Sequence, residues 1–535
     1  ADGSGFEACV CDAGGGAPGG GGPGVGGSGG GFECAPGEER DCYEGPAGTE
    51  NVGTCIGGTQ TCQSTKQWGD CVGQVLPTTD LCISPEDEDC DDQPPDCPSA
   101  WQVIIGDAGT GGGGTEIAVG PDDSVVVVGF FSGEMTLDGQ VYTAPATGDA
   151  YVVKITPTGE IDWVQFITGL GNQTPLSVAV GPAGEVVVGG YFFSEADFGL
   201  GQPVQAAGIV DGFLWGLDAD GTPQWVETIG GSAGQGDSRI TDVAIDAGGN
   251  VAIVGYYSGL TDFAGEELPD AGTAIRGLVA RLDSSQSMSF HKVIPDVWAR
   301  NVAFQSNGDL IASFVKPPAA VMDLGGGPIL EEGFIGNFGV DGDLVWGFPF
   351  GSPTAATPQI GYGILGGLVT LADDRVFFHL TGYGQNGFDL GGGVLPPGGM
   401  FELSLAGDGA YAESGVLGTF MQITSLATAG APDGSALFGG YFAGGSSFTV
   451  AGQTYTTDGP DNADSFIVRV GTDGALVDAR TFGTAGSTVS IQSLGVDSSG
   501  SVVLMATWAG DGIDLGLGPL PLNGGGQTVV ARVDW

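Results

Sequence analysis

Two groups of residues in this 535-residue chain have types and spacings that could do chemistry. One is a set of ten cysteines confined to Cys9–Cys97, and the other is an acidic run beside the last of them. The run Glu86-Asp87-Glu88-Asp89-Cys90-Asp91-Asp92 places carboxylates close enough to surround a hard cation, and carboxylate oxygens suit calcium. Asp87, Asp89, Asp91 and Asp92 are its candidate calcium-type ligands, and calcium is the one cofactor the sequence suggests. A solvated acidic linker is the competing reading.

The cysteines are Cys9, Cys11, Cys34, Cys42, Cys55, Cys62, Cys71, Cys82, Cys90 and Cys97. An even number crowded where no large core can form reads as a disulfide framework. Structural zinc would bring close C-x₂₋₄-C pairs, and only Cys9-Val10-Cys11 comes near that spacing. Eight cysteines, Cys34 to Cys97, form the framework, with the pairing left open. Disulfides imply an oxidising compartment, so the chain is expected to be exported, secreted or held at a bacterial cell surface, with any signal peptide already removed.

Other chemistries find little support. Only His291 and His379 could serve as imidazole bases or zinc ligands, and they fall in different repeat units. The S-x-D-x-G-x-x-W box of sialidases and the C-x-x-C-H haem attachment motif are both missing from the sequence. Asp218-Ala219-Asp220-Gly221 opens like a calcium loop, but position twelve is Ile229; a hairpin turn explains it better. The aspartates before Phe or Leu (Asp197, Asp262, Asp323, Asp389, Asp514) recur at one place in the repeat, which points to a structural loop bond.

Thirteen Lys and Arg against 65 Asp and Glu give a formal net charge of −52. Such a surface repels phosphates and anionic headgroups, so nucleic acid is excluded as a partner. No run of eighteen apolar residues exists, so no transmembrane span is expected. With 41% hydrophobic residues the chain has ample material for a core. Arg239, Arg276, Arg281, Lys292, Arg300 and Lys316 concentrate in two adjoining units and form a candidate partner surface, with chance scatter as the alternative.

The elements that must position these residues follow from composition and period. Residues 1–31 are a Gly-rich flexible leader, 32–98 a Cys-rich module, and 99–535 a repeat array. The stretch "VAVGPAGEVVVGGYFFSEADFG" at 178–199 recurs as "IAVGPDDSVVVVGFFSGEMTLDG" at 117 and "VAIDAGGNVAIVGYYSGLTDFAG" at 243, with looser copies beyond. Trp101 to Trp163 is 62 residues, and so is Trp163 to Trp225. Each unit holds four β-branched or aromatic runs broken by Gly and Asp-Gly turns. A unit this small must stack on its neighbours, and radial stacking of seven four-stranded antiparallel sheets gives a closed β-propeller with protected edges. The fold class is therefore all-β. The units run approximately 101–162, 163–224, 225–289, 290–345, 346–411, 412–480 and 481–535. Gly181-Pro182-Ala183-Gly184 is then a strand turn rather than a phosphate cradle, and a functional site is expected where the repeat departs, in units four and five.

Two resemblances follow. The sequences "DGFLWGLDADG" and "VAIDAGGNVAIVG" resemble the SBBP-type seven-bladed propeller repeat proteins, which implies the same propeller fold. The order Cys34-x-Pro-Gly-Glu, Cys42-Tyr-x-Gly-Pro, Val52-Gly53-x-Cys55, Cys62, Trp68-Gly69-x-Cys71 resembles a module of secreted myxobacterial-type proteins. Its tail is similar to a MopE-type metal-binding motif, with Asp92 standing where that motif has glycine. Propellers host many activities, so function must come from a site. The expected function is non-enzymatic: binding of a protein or glycan at the cell surface, or surface assembly through self-association. A carboxylate-based hydrolase or lyase at the channel mouth, and a subunit of an extracellular filament or surface layer, are the alternatives.

Overall fold

The computed structural model describes residues 34–77, 90, 100–106, 112–137, 139–144, 148–231, 236–317, 320–324, 327–351, 360–382, 388–395, 399–418, 423–442, 447–450, 453–457, 463–483, 486–510, 512–520 and 527–535. Asp87, Asp89, Asp91 and Asp92 lie outside the described residues, as do Cys9, Cys11, Cys82 and Cys97. Two compact units divide the chain, a small N-terminal one and a large one ending at Trp535.

In the small unit, Glu39–Cys42 pairs antiparallel with Gly58–Thr61. Isolated bridges join Ile56 to Val75 and Thr59 to Val72. Three disulfides, Cys34–Cys62, Cys42–Cys71 and Cys55–Cys90, close loops of 28, 29 and 35 residues. Each restricts the unfolded chain and so contributes roughly 3–4 kcal/mol by loop-closure entropy. These three bonds bear out the framework for six of its eight cysteines, Cys82 and Cys97 lying outside the described residues. The Arg40 guanidinium lies 4.2 Å from the centre of the Trp68 ring and covers it; among the described residues of this unit the buried hydrophobics are cysteines alone.

The large unit is a seven-bladed propeller of four-stranded antiparallel sheets, and no helix occurs among the described residues. Its innermost strands are Gly113–Val119, Gln173–Val180, Ser238–Ile245, Trp298–Phe304, Ile360–Thr370, Ile423–Gly430 and Thr488–Val496. Each innermost strand touches those of both neighbouring blades, so together they ring the axis. Second and third strands such as Val125–Phe131 and Asp149–Ile155 are buried almost throughout, because their two faces pack against the blades on either side. Fully burying one such Val or Phe is worth about 1.5–3 kcal/mol, and this stacking carries the fold. The core is accordingly a set of layers between blades. One layer joins Val126, Val128 and Val152 of blade one to Val186, Phe213 and Trp215 of blade two.

Sheets and sequence units are out of phase by one strand. Trp101–Ile105 pairs with Gln527–Val533 and supplies the outermost strand of blade seven, closing the ring. Blade one therefore begins at Gly113, and Trp163 and Trp225 lie on the outermost strands of blades one and two. At one end of the propeller lie the tight turns joining strands one to two and three to four; this is called the turn end. The opposite end carries longer connections, several of them small hairpins. One such hairpin from blade two, Glu195–Asp197 with Val204–Gln205, extends the sheet of blade one.

The recurring aspartates shape loops. Oδ1 of Asp389 accepts backbone N–H bonds from Gly391 and Gly393 at 2.7 and 3.0 Å, and Oδ1 of Asp514 does the same for Gly516 and Gly518. In "DADG", Asp218 Oδ1 accepts from Asp220 and Thr222. These are turn bonds, as the repeat suggests.

Candidate functional site

The joints between blades at the turn end follow a rule, and one joint breaks it. Trp101 Nε1 donates to Pro157 O at 2.9 Å, Trp163 Nε1 to Ala219 O at 3.1 Å, and Trp346 Nε1 to Gly407 O at 3.1 Å. Each indole leaves the outermost strand of one blade and covers the glycine of the next blade's turn between strands three and four. At Gly221 φ is +78° and a Cβ would lie 2.5 Å from the Trp163 ring, so glycine is required there. This latch accounts for Trp101 and Trp163, which stand 62 residues apart.

A second element of the joint is an ion pair between the third strand and the turn joining strands one and two. Lys154 Nζ lies 3.6 Å from Asp122, Arg281 Nη2 3.2 Å from Asp246, Arg469 Nη2 2.8 Å from Asp433 and Arg532 Nε 2.6 Å from Asp497. Lys154 and Arg281 also reach backbone carbonyls of the following blade, Ala219 and Gly308. In blade four a neutral pair, Asn337 donating to Gln305, takes the place of the ions. Blade five instead carries Arg375 within its turn, paired with Asp373 at 2.6 Å.

Blade two has neither member. Gly216 stands where the cation would be, and the turn reads Gly181-Pro182-Ala183-Gly184-Glu185. The receiving turn of blade three carries Gln286, at φ +65°, where the other turns have glycine. Trp225 does not latch: it lies against Gly216, directly opposite across the strand pair, and its indole N–H makes no hydrogen bond among the described residues. A cavity of about 660 Å³ opens at this joint, lined by Pro182, Ala183, Glu185, Trp225, Ser284 and Gln286 among others. That volume falls within the range of small-molecule sites. Glu185 Oε2 accepts from Ala183 N at 2.8 Å, while Oε1 has no protein partner among the described residues. Asp218, also in the wall, is already committed: its Oδ2 accepts from Gln224 Nε2 at 2.8 Å. The departure from the repeat that opens this cavity thus lies at the joint of blades two and three, at Ala183, Gly216 and Gln286, and not in units four and five as expected from the sequence.

Sequence reasoning missed two further acids, on the channel wall. Glu116 Oε2 accepts from Val178 N at 2.8 Å and Asp242 Oδ2 from Val302 N at 2.8 Å, each reaching the innermost strand of the next blade. Ser177 joins them, donating to Asp242 Oδ1 at 2.7 Å while its oxygen accepts from Val243 N. Burial, and then the Asp242 charge, push the Glu116 carboxyl up to about 8; burial also raises Asp242. Both sit beside β-bulges, where an innermost strand leaves N–H groups for a neighbour to satisfy.

His379 is fully buried between blades five and six, with Nδ1 2.6 Å from Thr428 Oγ1. Burial lowers it to about 3, and Glu402, its cross-strand neighbour, is raised to about 8 by burial and the Glu413 charge. Burial thus favours the uncharged form of both. A second cavity of about 380 Å³ lies at the turn end among blades one, five, six and seven, walled by Pro121, Leu371, Pro432 and Ser498.

The six basic residues do not share one surface. Arg281, 9% exposed, is locked in its ion pair at the turn end, and Lys316, 1% exposed, donates to Leu330 O at 3.0 Å. Lys292 is on the outermost strand of blade three. Arg276 donates to Asp270 O. Arg239 and Arg300 occupy neighbouring innermost strands near Tyr256, with Arg239 held by Asp237 at 3.0 Å and stacked 4.3 Å from the Tyr191 ring centre. Among the described residues no three of His, Cys, Asp and Glu converge as metal ligands, and no helix is long and apolar enough to cross a membrane.

A scan of protein-family models and a search of curated proteins give no match. Among solved structures the chain is similar to the Dos1 propeller, with a TM-score of 0.39 and 9% identity over 81% of this chain and 94% of that one. It is also similar to the β-propeller domain of the Trilobed protease from Pyrococcus furiosus, with a TM-score of 0.36 and 10% identity over 75% and 90%. An ACO/RPE65 chimera gives 0.37 and 11% over 82% and 94%.

Proposed function

We propose that this protein is exported and acts without catalysis, using the rigid acidic propeller to bind a partner at the cell surface. The observation that carries this reading is the open joint between blades two and three, where a half-buried indole and a carboxylate oxygen face a cavity without protein partners. The groups elsewhere that resemble acid–base machinery are engaged in holding the ring: Glu116 and Asp242 cap backbone amides of neighbouring blades, and His379 is buried against Thr428. A closed ring of stacked blades moves little on binding, which suits recognition by a preformed site. The disulfides of the small unit suit an oxidising exterior.

Fractionation of the producing cells tests this, combined with thiol titration and light scattering of the full chain. The expected result is protein in the surface or external fraction, with the Cys34, Cys42, Cys55, Cys62, Cys71 and Cys90 thiols unreactive and the purified chain monomeric. Cytoplasmic protein with reactive thiols would overturn it, and a large self-assembled species would favour a filament or layer subunit instead.

A further inference from the structure

Resting on the binding reading, we infer that the cavity between blades two and three takes an alkylammonium or alkylguanidinium group, which supplies from outside the cation that four sister blades supply from within. Lys154, Arg281, Arg469 and Arg532 all occupy the third-strand place held by Gly216 in blade two. In three of those blades an aromatic residue lies directly across: Trp163, Phe290 and Trp101. In each of the four, an aspartate of the strand-one-to-two turn balances the charge. Blade two keeps the aromatic residue, Trp225, and has lost both the cation and the aspartate, Ala183 standing in the aspartate's place; an acid, Glu185, follows two places on in the same turn. What remains is an indole lying over Gly216 and a carboxylate oxygen of Glu185, both in the wall of a cavity of about 660 Å³. An aromatic face beside a carboxylate is the chemistry that recognises an organic cation, while anions are repelled by Glu185, Asp218 and the net charge of −52. Loss of the latch is what keeps the place open: with Gln286 in the receiving turn, Trp225 has no glycine to cover.

The cation can come from a free amine or from a basic side chain of a polypeptide, and the probes separate the two. The full chain is titrated calorimetrically in about 0.15 M salt, where exposed charges are screened beyond a Debye length. The probes are n-butylammonium, Nα-acetyl-lysine amide and its uncharged counterpart Nα-acetyl-norleucine amide, with glucose as a neutral ring. Both cations are expected to bind, with the norleucine compound weaker by about tenfold or more. Glu185→Gln and Gln286→Gly each weaken the cations by about fivefold, whereas Glu160→Gln, an exposed acid elsewhere, changes nothing. Tighter binding of the lysine amide assigns the site to a polypeptide side chain; equal binding assigns it to a free amine. Equal binding of the norleucine compound, or cation binding untouched by both substitutions, overturns the inference. Binding of glucose but not of the cations overturns it too, while leaving the binding reading standing.

Discussion

Trp225 lies against Gly216 so closely that a Cβ on the glycine would overlap the indole, and this contact replaces the latch made by Trp101, Trp163 and Trp346. One position thus separates two kinds of joint in the same ring. Where the third strand carries Lys154, Asn337 or Arg532, the tryptophan across from it reaches the next blade. Where it carries glycine, the aromatic residue folds back and the joint stays open.

The two kinds of tryptophan should differ in what they hold together. Trp163→Ala removes an inter-blade hydrogen bond and the cover over Gly221, and is expected to cost about 2–3 kcal/mol. Trp225→Ala removes no such bond and should cost about 1 kcal/mol. Denaturant midpoints of the two variants, compared at equal slope, give the difference.

Gln286 is held at φ +65°, a conformation that disfavours side chains with a Cβ. Gln286→Gly should therefore leave stability unchanged or raise it by about 1 kcal/mol, even though an exposed turn normally loses stability when glycine is introduced. Thermal unfolding of the variant measures this, and a raised midpoint accompanied by weaker cation binding links the turn to the open joint.

Arg532 and Asp497 are almost fully buried, at 3% and 1% side-chain exposure, and Arg532 also donates to Ser499 and Ser501. The pair sits in blade seven, where Trp101–Ile105 closes the ring. Arg532→Ala leaves a buried carboxylate without its cation and is expected to cost about 3–5 kcal/mol. Arg480→Ala, at a pair 40% and 43% exposed, should cost about 1 kcal/mol or less. Unfolding curves of both variants distinguish a structural ion pair from a surface one.

Glu116 is a carboxylic acid whose pKa in the folded chain, about 8, lies above its ordinary value. The folded state therefore holds this proton more tightly than the unfolded one. The stability it contributes is fully present below the ordinary carboxylate range and is lost as pH rises through about 8. The melting temperature should fall between pH 6 and pH 9, and Glu116→Gln should flatten that fall by about 2–4 °C. An unchanged slope in the variant would place the alkaline loss elsewhere.

The strand runs and the 62-residue spacing were legible because second and third strands are buried on both faces and so read as unbroken apolar runs such as Val125-Val126-Val127-Val128. The phase was not. Trp101 looks like the start of a unit, yet it belongs to the last blade, and only the pairing of Trp101 with Arg532 reveals this. The open joint was spelled in the sequence as Ala183 for Asp122, Gly216 for Lys154 and Gln286 for Gly221. These residues lie on three segments whose relation depends on strand register and on which blade follows which. Units four and five look more divergent along the chain, but they replace the ion pair with other bonds, such as Asn337 to Gln305 and Arg375 to Asp373. The channel acids Glu116 and Asp242 were invisible for a similar reason, since a bulge and a neighbouring strand define their role.

The central claim, that the missing cation of blade two is supplied by a ligand, is tested most directly by a crystal structure of the full chain grown with n-butylammonium. The expected result is the ammonium seated between the Trp225 ring and Glu185 Oε1, with its alkyl chain along the indole. A Trp225 side chain turned onto the blade-three turn with the cavity closed, or the cation bound only at other surface acids, contradicts the claim.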